Sequence, residues 1–140
     1  MSSLGYLLDT DICINIIRSK NESLLRKVTA KLLGQISISS ITVAELEYGA
    51  AKSARPEQNY LALMQFLEPL CIHYFDESAA HQYGKIRADL ERRGQVIGPM
   101  DMLIAAQALA DGLVLVTNNY REFKRVNGLS TESWYEIDRF

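Results

Sequence analysis

The sequence has few of the features that define several large classes of protein. Its 140 residues include two cysteines and three prolines, which excludes a disulfide-stapled scaffold and a proline-rich linker protein. No apolar run reaches the roughly 18 residues that a membrane span requires. The first residues also lack the basic start and apolar middle of a signal peptide. We therefore expect a soluble, cytoplasmic protein that does not bind membranes.

An excess of charge of one sign is also lacking. Fifteen basic residues stand against 17 acidic ones, for a net charge of -2, so the strong basic excess of a dedicated duplex-binding protein is absent. Hydrophobic residues make up 48% of the chain and charged residues 23%, which is enough apolar material for one core and excludes a disordered chain. There is no internal repeat or linker-like stretch, so a single domain over residues 1–140 is predicted.

Cysteine and histidine are too sparse to build a metal centre. Cys13 and Cys71 each lie between apolar residues, and both are predicted to be buried, reduced thiols. The two histidines, His73 and His81, do not have the spacing of a zinc site. Any metal in this protein would therefore be held by oxygen ligands.

Short apolar runs of strand length alternate along the chain with longer segments of helical periodicity. The predicted strands cover residues 6–8, 36–39, 71–75 and 113–116, with an edge strand near 134–137. The predicted helices include two between 12 and 33, then one after Thr42, one from Pro56, one capped by Asp76, one from Pro99 and a short one over 120–126. This alternation predicts an α/β fold with a central parallel sheet covered on both faces.

Acidic residues occur where such a sheet binds ligands, at the carboxyl ends of its strands. Asp9 directly follows the first strand, and Asp11 lies two residues later. Glu45 is placed in the first turn of the helix after the second strand, and Asp101 in the first turn of the helix that leads into the last clear strand. Three polar residues follow that strand: Asn118, Asn119 and Glu122. Three or four carboxylates are therefore expected to converge.

Each acid also has an ordinary structural explanation. Thr42 and Glu45 have the spacing of a capping box, in which Glu45 bonds back to the N-terminal amide of its own helix. Asp11 and Asp101 would be stabilised near a helix N-terminus by capping or by the helix dipole. Asp9 differs, because a carboxylate at the end of a buried strand needs a partner. Together, the positions favour a functional cluster over independent capping.

Clustered carboxylates repel one another unless a cation lies between them. Oxygen ligands without histidine or cysteine suit Mg²⁺ or Mn²⁺, and magnesium is typically held by a few carboxylates and several waters. Such ions promote the attack of water on phosphoryl groups. The residues themselves therefore indicate hydrolysis of a phosphodiester bond.

Four segments resemble the motifs of the PIN-domain ribonucleases, specifically the VapC toxins of bacterial toxin–antitoxin pairs. They are LLDTDI at 7–12, SSITVAEL at 39–46 with YGA at 48–50, GPMD at 98–101 with IAA at 104–106, and VTNN at 116–119 with REF at 121–123. They occur in the family's order across nearly the whole chain. The resemblance implies a three-layer α/β/α sandwich and Mg²⁺- or Mn²⁺-dependent endoribonuclease activity, with tRNA as one possible substrate. It also implies a homodimer inhibited by a VapB-like antitoxin.

The resemblance also assigns residues by position. Asp9, Glu45 and Asp101 match the metal-binding acids of the family. Thr117 is implied to orient the site by hydrogen bonding. Asp11, where the family often has asparagine, is implied to be an auxiliary residue.

The last motif departs from the family's pattern. Many PIN domains have an acid where this chain has Asn119. The fourth position in the site is therefore assigned either to Glu122 or to a water held by Asn118 or Asn119.

Contact with RNA requires local positive charge, and the overall numbers of basic and acidic residues do not provide a positive excess. Two basic clusters in predicted helices provide the candidate RNA-binding residues: Arg87, Arg92, Arg93 and Lys27. A solvated helix face is the ordinary explanation of such runs, and it stands as the alternative to RNA contact.

Two other functions fit part of the pattern. An apolar strand ending in Asp9 and Asp11 resembles the start of a haloacid-dehalogenase-type phosphatase, although no paired acidic motif follows a later strand. A catalytically silent PIN-like domain that binds RNA or protein fits the missing fourth acid. Trapping of a phosphoryl-aspartate would identify the phosphatase, and RNA binding without metal-dependent cleavage would identify the silent domain.

Overall fold

Five short strands form one sheet in which every neighbouring pair is parallel. The computed structural model describes residues 5–18, 28 and 33–134. Within these ranges the strands are β1 (Tyr6–Leu8), β2 (Ile36–Ser39), β3 (Cys71–His73), β4 (Val114–Val116) and β5 (Thr131–Glu132). Their order across the sheet is β3-β2-β1-β4-β5. The predicted parallel sheet is confirmed, and β1 is its central strand.

Six helices connect these strands within the described ranges. They are α1 (Thr10–Arg18), α2 (Ser40–Ala51), α3 (Pro56–Leu67), α4 (Glu77–Arg92), α5 (Pro99–Asp111) and α6 (Tyr120–Phe123). Asp76 caps α4 by accepting a hydrogen bond from the amide of Ala79 at 3.0 Å, and Gly112 ends α5 with a φ of 65°, as the sequence predicts. None of the helices in the described ranges has the length and apolar character needed to cross a bilayer. The second of the two helices predicted between residues 12 and 33 lies largely outside the described residues.

Different helices cover the two faces of the sheet. Because side chains alternate along each strand, neighbouring residues of a strand point into different cores. Leu7 of β1 points into a core that contains Leu90 of α4 and Ile104 of α5. Its neighbour Leu8 points to the opposite face, into a core that contains Ile12 of α1, Leu46 of α2 and Leu63 of α3. The predicted three-layer α/β/α sandwich is confirmed.

One local prediction fails at the edge of the sheet, and another is left untested. Cys71 is exposed rather than buried, because it begins the edge strand β3, whereas Cys13 is buried as predicted. Within the described residues, the last strand is Thr131–Glu132. Trp134 lies beyond that strand, where its ring packs edge-on against Tyr6 with centroids 5.2 Å apart. Residues 135–137 lie outside the described residues.

Candidate active site

The carboxylate of Asp9 ends the central strand, and only 4% of the residue is exposed. Its Oδ1 accepts a hydrogen bond from the amide of Thr10 at 2.7 Å, and its Oδ2 accepts one from the hydroxyl of Thr117 at 2.8 Å. Thr117 follows β4, which pairs with β1. The predicted orienting role of Thr117 therefore has a direct geometric basis. Each oxygen of Asp9 retains a lone pair for a further ligand.

The segment after β4 also positions Glu122. The Thr117 hydroxyl, which donates to Asp9, accepts a hydrogen bond from the amide of Asn119 at 2.9 Å. The side-chain amide of Asn119 donates to Glu122 Oε2 at 2.9 Å. Asn119 thus holds the Glu122 carboxylate, and the two residues act together at the position that the sequence left open.

Glu45 is part of the same group of acids, and its interpretation as half of a capping box is wrong. The N-cap of α2 is Ser39, whose side chain accepts a hydrogen bond from the amide of Ile41 at 3.0 Å. Because α2 begins at Ser40, Glu45 lies in its second turn. Its Oε1 accepts a hydrogen bond from the hydroxyl of Thr10 at 2.6 Å. The sequence placed this helix start too late, because serine and threonine are both good caps.

Thr10 is a site residue that sequence reasoning missed. Its amide donates to Asp9, and its hydroxyl lies between Glu45 at 2.6 Å and Thr42 Oγ1 at 3.2 Å. Since a hydroxyl has one proton and the carboxylate accepts only, Thr10 donates to Glu45 and accepts from Thr42. One residue therefore links two acids that come from different elements. The available signal was a hydroxyl side chain directly after the acid that ends a strand.

Asp101 lies in the first turn of α5, as predicted, and is partly buried. Its carboxyl group forms a hydrogen bond with that of Glu122. Gly98 provides the space for this arrangement, because a Cβ atom at that position would lie 3.3 Å from Asp101 Oδ2. The glycine before Pro99 therefore allows the backbone to approach the carboxylate closely.

A second missed residue, Gln107, joins the elements that carry Glu45 and Asp101. Its side chain is fully buried. Gln107 Oε1 accepts a hydrogen bond from the hydroxyl of Ser39 at 2.9 Å, and Nε2 donates to Asp111 Oδ2 at 2.8 Å. Since Ser39 caps α2 and Gln107 lies in α5, this contact fixes the two helices relative to each other.

Burial, reinforced by mutual repulsion, dominates the electrostatics of the site. Burial raises the pKa of Asp9 from 3.8 to about 6; its hydrogen bonds oppose this rise, and the charges of Asp11 and Glu45 add to it. Burial, the charge of Asp9 and the hydrogen bond with Glu122 raise the pKa of Asp101 from 3.8 to about 7. The predicted convergence is therefore present, because these acids are close enough to perturb one another.

The donor set fits a hard divalent cation that keeps much of its water. As the side chains stand, no group of three or more acidic, histidine or cysteine side chains in the described part of the chain is arranged to hold an ion directly. The cluster nevertheless offers only carboxylate oxygens, and a cation relieves the repulsion that raises their pKa values. Mg²⁺ usually retains several waters and binds through one or two carboxylates. The residues that could hold it are Asp9, Asp101 and Glu45, because the charges of Asp9 and Glu45 both act on Asp101.

Two of the predicted auxiliary residues lie at the margin of the site. Asp11 is exposed in the first turn of α1, and its charge acts on Asp9. Asn118 is exposed, and its side chain makes no hydrogen bond to any residue that the structure describes. Among the described residues, neither side chain forms a hydrogen bond with one of the four clustered acids.

Among the described residues, none of the predicted RNA-binding cations forms an ion pair with the four clustered acids. Arg87 and Arg93 each pair with an acidic residue four positions away on α4, at 3.1 and 2.6 Å. Arg92 lines a surface groove of about 740 Å³, and none of the four clustered acids lines that groove. Lys27 lies outside the described residues. Much of the positive charge of these arginines is therefore paired with neighbouring acids.

Comparison with known proteins places this geometry in a family. The PIN domain model matches residues 6–129, and the chain belongs to the PIN domain family. It is 44% identical over 131 residues to the tRNA(fMet)-specific endonuclease VapC of Shigella flexneri, covering 94% of this chain and 98% of that protein. Ribonuclease VapC2 of Haemophilus influenzae gives the same identity and coverage. The crystal structure of DNA-bound VapBC from Salmonella typhimurium superimposes with a TM-score of 0.90 and 42% identity, covering 94% of this chain and 99% of that one.

The raised pKa values predict how stability depends on pH in the absence of metal. Folded Asp9 and Asp101, with pKa values of about 6 and about 7, bind more protons than the unfolded chain between about pH 4 and pH 7, so stability falls as pH rises through this range. For Asp9 alone, the difference from 3.8 is equivalent to at most about 3 kcal/mol. Thermal melts in EDTA should therefore give a lower melting temperature at about pH 8 than at about pH 5, and added Mg²⁺ should raise it at the higher pH.

The variant Asp101→Asn is the matched control for this effect. Its amide can donate to Glu122 as the protonated carboxyl of Asp101 does, and it carries no charge. In EDTA near pH 8 it should melt at or above the wild-type temperature, and its gain from Mg²⁺ should be smaller. If Asp101 only complemented the helix dipole, the variant would instead lose about 0.3–1 kcal/mol, and such a loss with an unchanged metal shift would contradict the cluster.

The link through Thr10 predicts a difference between two substitutions. Thr10→Val keeps the shape but removes the hydroxyl that donates to Glu45, so it should cost about 1 kcal/mol in urea unfolding. It should also raise the Mg²⁺ concentration that gives half of the maximal thermal shift, because Glu45 is no longer held. Thr10→Ser should behave like wild type in both measurements. Equal behaviour of the valine and serine variants would remove Thr10 from the site.

Proposed function

We propose that this chain is a divalent-metal-dependent endoribonuclease of the VapC type, the toxin of a toxin–antitoxin pair. The observation that carries this conclusion is the convergence of four acids from separate elements beside the central strand: Asp9, Glu45, Asp101 and Glu122. Relatives named as ribonucleases and endonucleases, aligned over nearly the whole chain, support the same chemistry. The family match over residues 6–129 favours it over the aspartyl-phosphate chemistry of a haloacid-dehalogenase-type phosphatase.

In this proposal the acids bind the metal ion and the threonines orient the acids. Asp9 and Asp101, assisted by Glu45, would hold Mg²⁺ or Mn²⁺. When bound, such an ion lowers the pKa of a water and neutralises charge on the phosphoryl oxygens. Thr10 and Thr117 hold the carboxylates of Glu45 and Asp9 in fixed orientations. Pre-oriented ligands lower the cost of reaching the transition-state geometry.

Glu122 is the fourth acid, held by Asn119 and hydrogen-bonded to Asp101. We assign it a catalytic role on the margin of the metal-binding pair. Asp11 and Asn118 are assigned supporting roles, Asp11 through its negative charge and Asn118 through its exposed amide at the end of β4.

We further propose the partners and the setting of this activity. The substrate is RNA, and tRNA is the first candidate because a close relative is named as a tRNA(fMet)-specific endonuclease. A VapB-like antitoxin is the protein partner, supported by the similarity to a VapBC complex. We expect a single PIN domain over residues 1–140, a homodimer and a cytoplasmic location, where these RNAs are found.

Incubation of the purified protein with total RNA, with and without EDTA, tests the proposed function. Wild type with Mg²⁺ or Mn²⁺ should produce discrete cut ends that EDTA abolishes. Asp9→Asn and Asp101→Asn should each lower the initial rate at least about a hundredfold, with unchanged circular dichroism. RNA binding without cleavage under all metal conditions would identify a silent PIN-like domain instead.

The contact between Asn119 and Glu122 predicts a ranking of two variants. Glu122→Gln removes the charge at the fourth position, whereas Asn119→Ala removes only the group that holds it. Glu122→Gln should lower the initial cleavage rate by about 10- to 100-fold, and Asn119→Ala should lower it less. The opposite ranking, measured across a range of Mg²⁺ concentrations, would assign the fourth position to Asn119 or to a water that it holds.

A further inference from the structure

An exposed aromatic residue directly follows, in the chain, a residue that holds one of the clustered acids. Tyr120 begins α6 and is 61% exposed. It directly follows Asn119, whose side chain holds Glu122. Two residues of helix span about 3 Å along the axis, so the ring is attached within one helical turn of an acid of the cluster. The backbone that carries this ring is therefore close to the backbone of the proposed cleavage site.

The surroundings of the ring are positively charged. The Lys124 ammonium lies over the Tyr120 ring, 6.0 Å from its centroid, and Arg121 is exposed beside it. Neither cation forms an ion pair with any residue that the structure describes. This contrasts with Arg87 and Arg93 on α4, whose charges are paired. The surface around Tyr120 is therefore locally positive, although the whole chain has a net charge of -2.

The helix that carries this ring is firmly attached to the fold. Phe123 of α6 is fully buried in the core. Just after it, Arg125 donates a hydrogen bond to the carbonyl of Val96 at 3.3 Å, and its own carbonyl accepts one from Arg93 at 2.6 Å. A ring on a rigid support loses little conformational freedom on binding, which favours its use as a contact surface.

We propose that Tyr120, Lys124 and Arg121 form a nucleotide platform for the RNA strand beside the carboxylate cluster. One base stacks on the face of Tyr120 opposite Lys124, and the two cations contact the adjacent phosphates. Aromatic rings flanked by cations are the general means of binding single-stranded nucleic acid, because every base has a π face. This platform rests on the proposed function and identifies single-stranded RNA at the cut site as its ligand.

The carboxylate cluster also creates a need for positive charge near the phosphates that flank the cut. Four clustered carboxylates repel the phosphates of an incoming strand, and a metal ion held by them would neutralise charge only on the reacting phosphate. The neighbouring phosphates need other cations. Arg121 directly precedes Glu122 and Lys124 follows it by two positions, so both belong to the same short helix as one of the acids, Lys124 as its C-cap. Arg92, in contrast, lies on a groove that none of the four acids lines.

Binding of a short RNA to the full-length chain tests the platform. The Asp101→Asn background in EDTA prevents cleavage, and fluorescence anisotropy of a labelled, unstructured RNA of about 12 nucleotides reports affinity. Tyr120→Ala should weaken binding by about 5- to 100-fold, while Tyr120→Phe, which keeps the ring, should stay within about twofold. Tyr60→Ala is the matched control, because Tyr60 is an exposed tyrosine on α3, and it should have no effect.

A strand of the same length without bases separates stacking from charge. The Tyr120→Ala change should not alter the affinity for this abasic strand. Lys124→Gln should weaken binding of both strands and reduce the slope of log affinity against log salt by about 0.7. Equal affinity of the Tyr120→Ala variant and its parent for the normal RNA, or no binding by the parent itself, would overturn the platform.

Two further readouts distinguish the failures. If the wild type cuts RNA but Tyr120→Ala binds RNA normally, the platform is wrong and the proposed function stands. If the platform variants behave as expected but the wild type never cuts RNA, the proposed function is wrong and the binding surface stands. A change in oligomeric state of Tyr120→Ala on size-exclusion chromatography, with unchanged RNA affinity, would make Tyr120 a protein contact and overturn the platform.

Discussion

The burial of one carboxylate, that of Asp9, is the constraint on which the rest of the site depends. It lies at the end of the central strand, where exposure to water is 4%, and burial raises its pKa to about 6. A buried charge must be compensated by hydrogen bonds or by an opposite charge. The amide of Thr10 and the hydroxyl of Thr117 provide the hydrogen bonds, and they come from the segments that follow β1 and β4. No side chain that the structure places on Asp9 supplies the opposite charge, so protonation at low pH or a bound cation would compensate the remaining charge.

The same two threonines also orient the other acids, either directly or through a neighbouring residue. Thr10 also holds Glu45, and Thr117 holds the backbone of Asn119, which in turn holds Glu122. Each hydroxyl donates to one carboxylate, and that of Thr117 also accepts a hydrogen bond from the amide of Asn119, so the orientations of the acids depend on one another. This arrangement keeps like charges close together at a cost in stability that a metal ion would offset. Such strain is typical of functional sites rather than of structural ones.

Much of this architecture could be predicted from the sequence because its signals are local. The strands are apolar runs, Asp76 and Gly112 are typical caps, and the acids directly follow the strands that place them. Glu45 shows where local reasoning fails. Ser39 and Thr42 are equally suitable caps by sequence, and only the contact with Gln107, 68 positions away, shows how Ser39 is held. The role of Thr10 depends likewise on a contact over 35 positions. Cys71 was misjudged because an edge strand and a central strand can have the same apolar neighbours.

The spacing of the basic residues along the helices indicates which of their charges are paired. Arg87 and Glu91, and Asp89 and Arg93, have the spacing of ion pairs within a helix, and the structure contains both pairs. The same spacing relates Tyr120 to Lys124, but here the partner of the cation is a ring, which leaves the positive charge available to an anion. A chain of net charge -2 that gathers four acids at one point can attract a polyanion only through such local departures. The distribution of unpaired cations, more than their number, therefore determines where an RNA strand can approach this site.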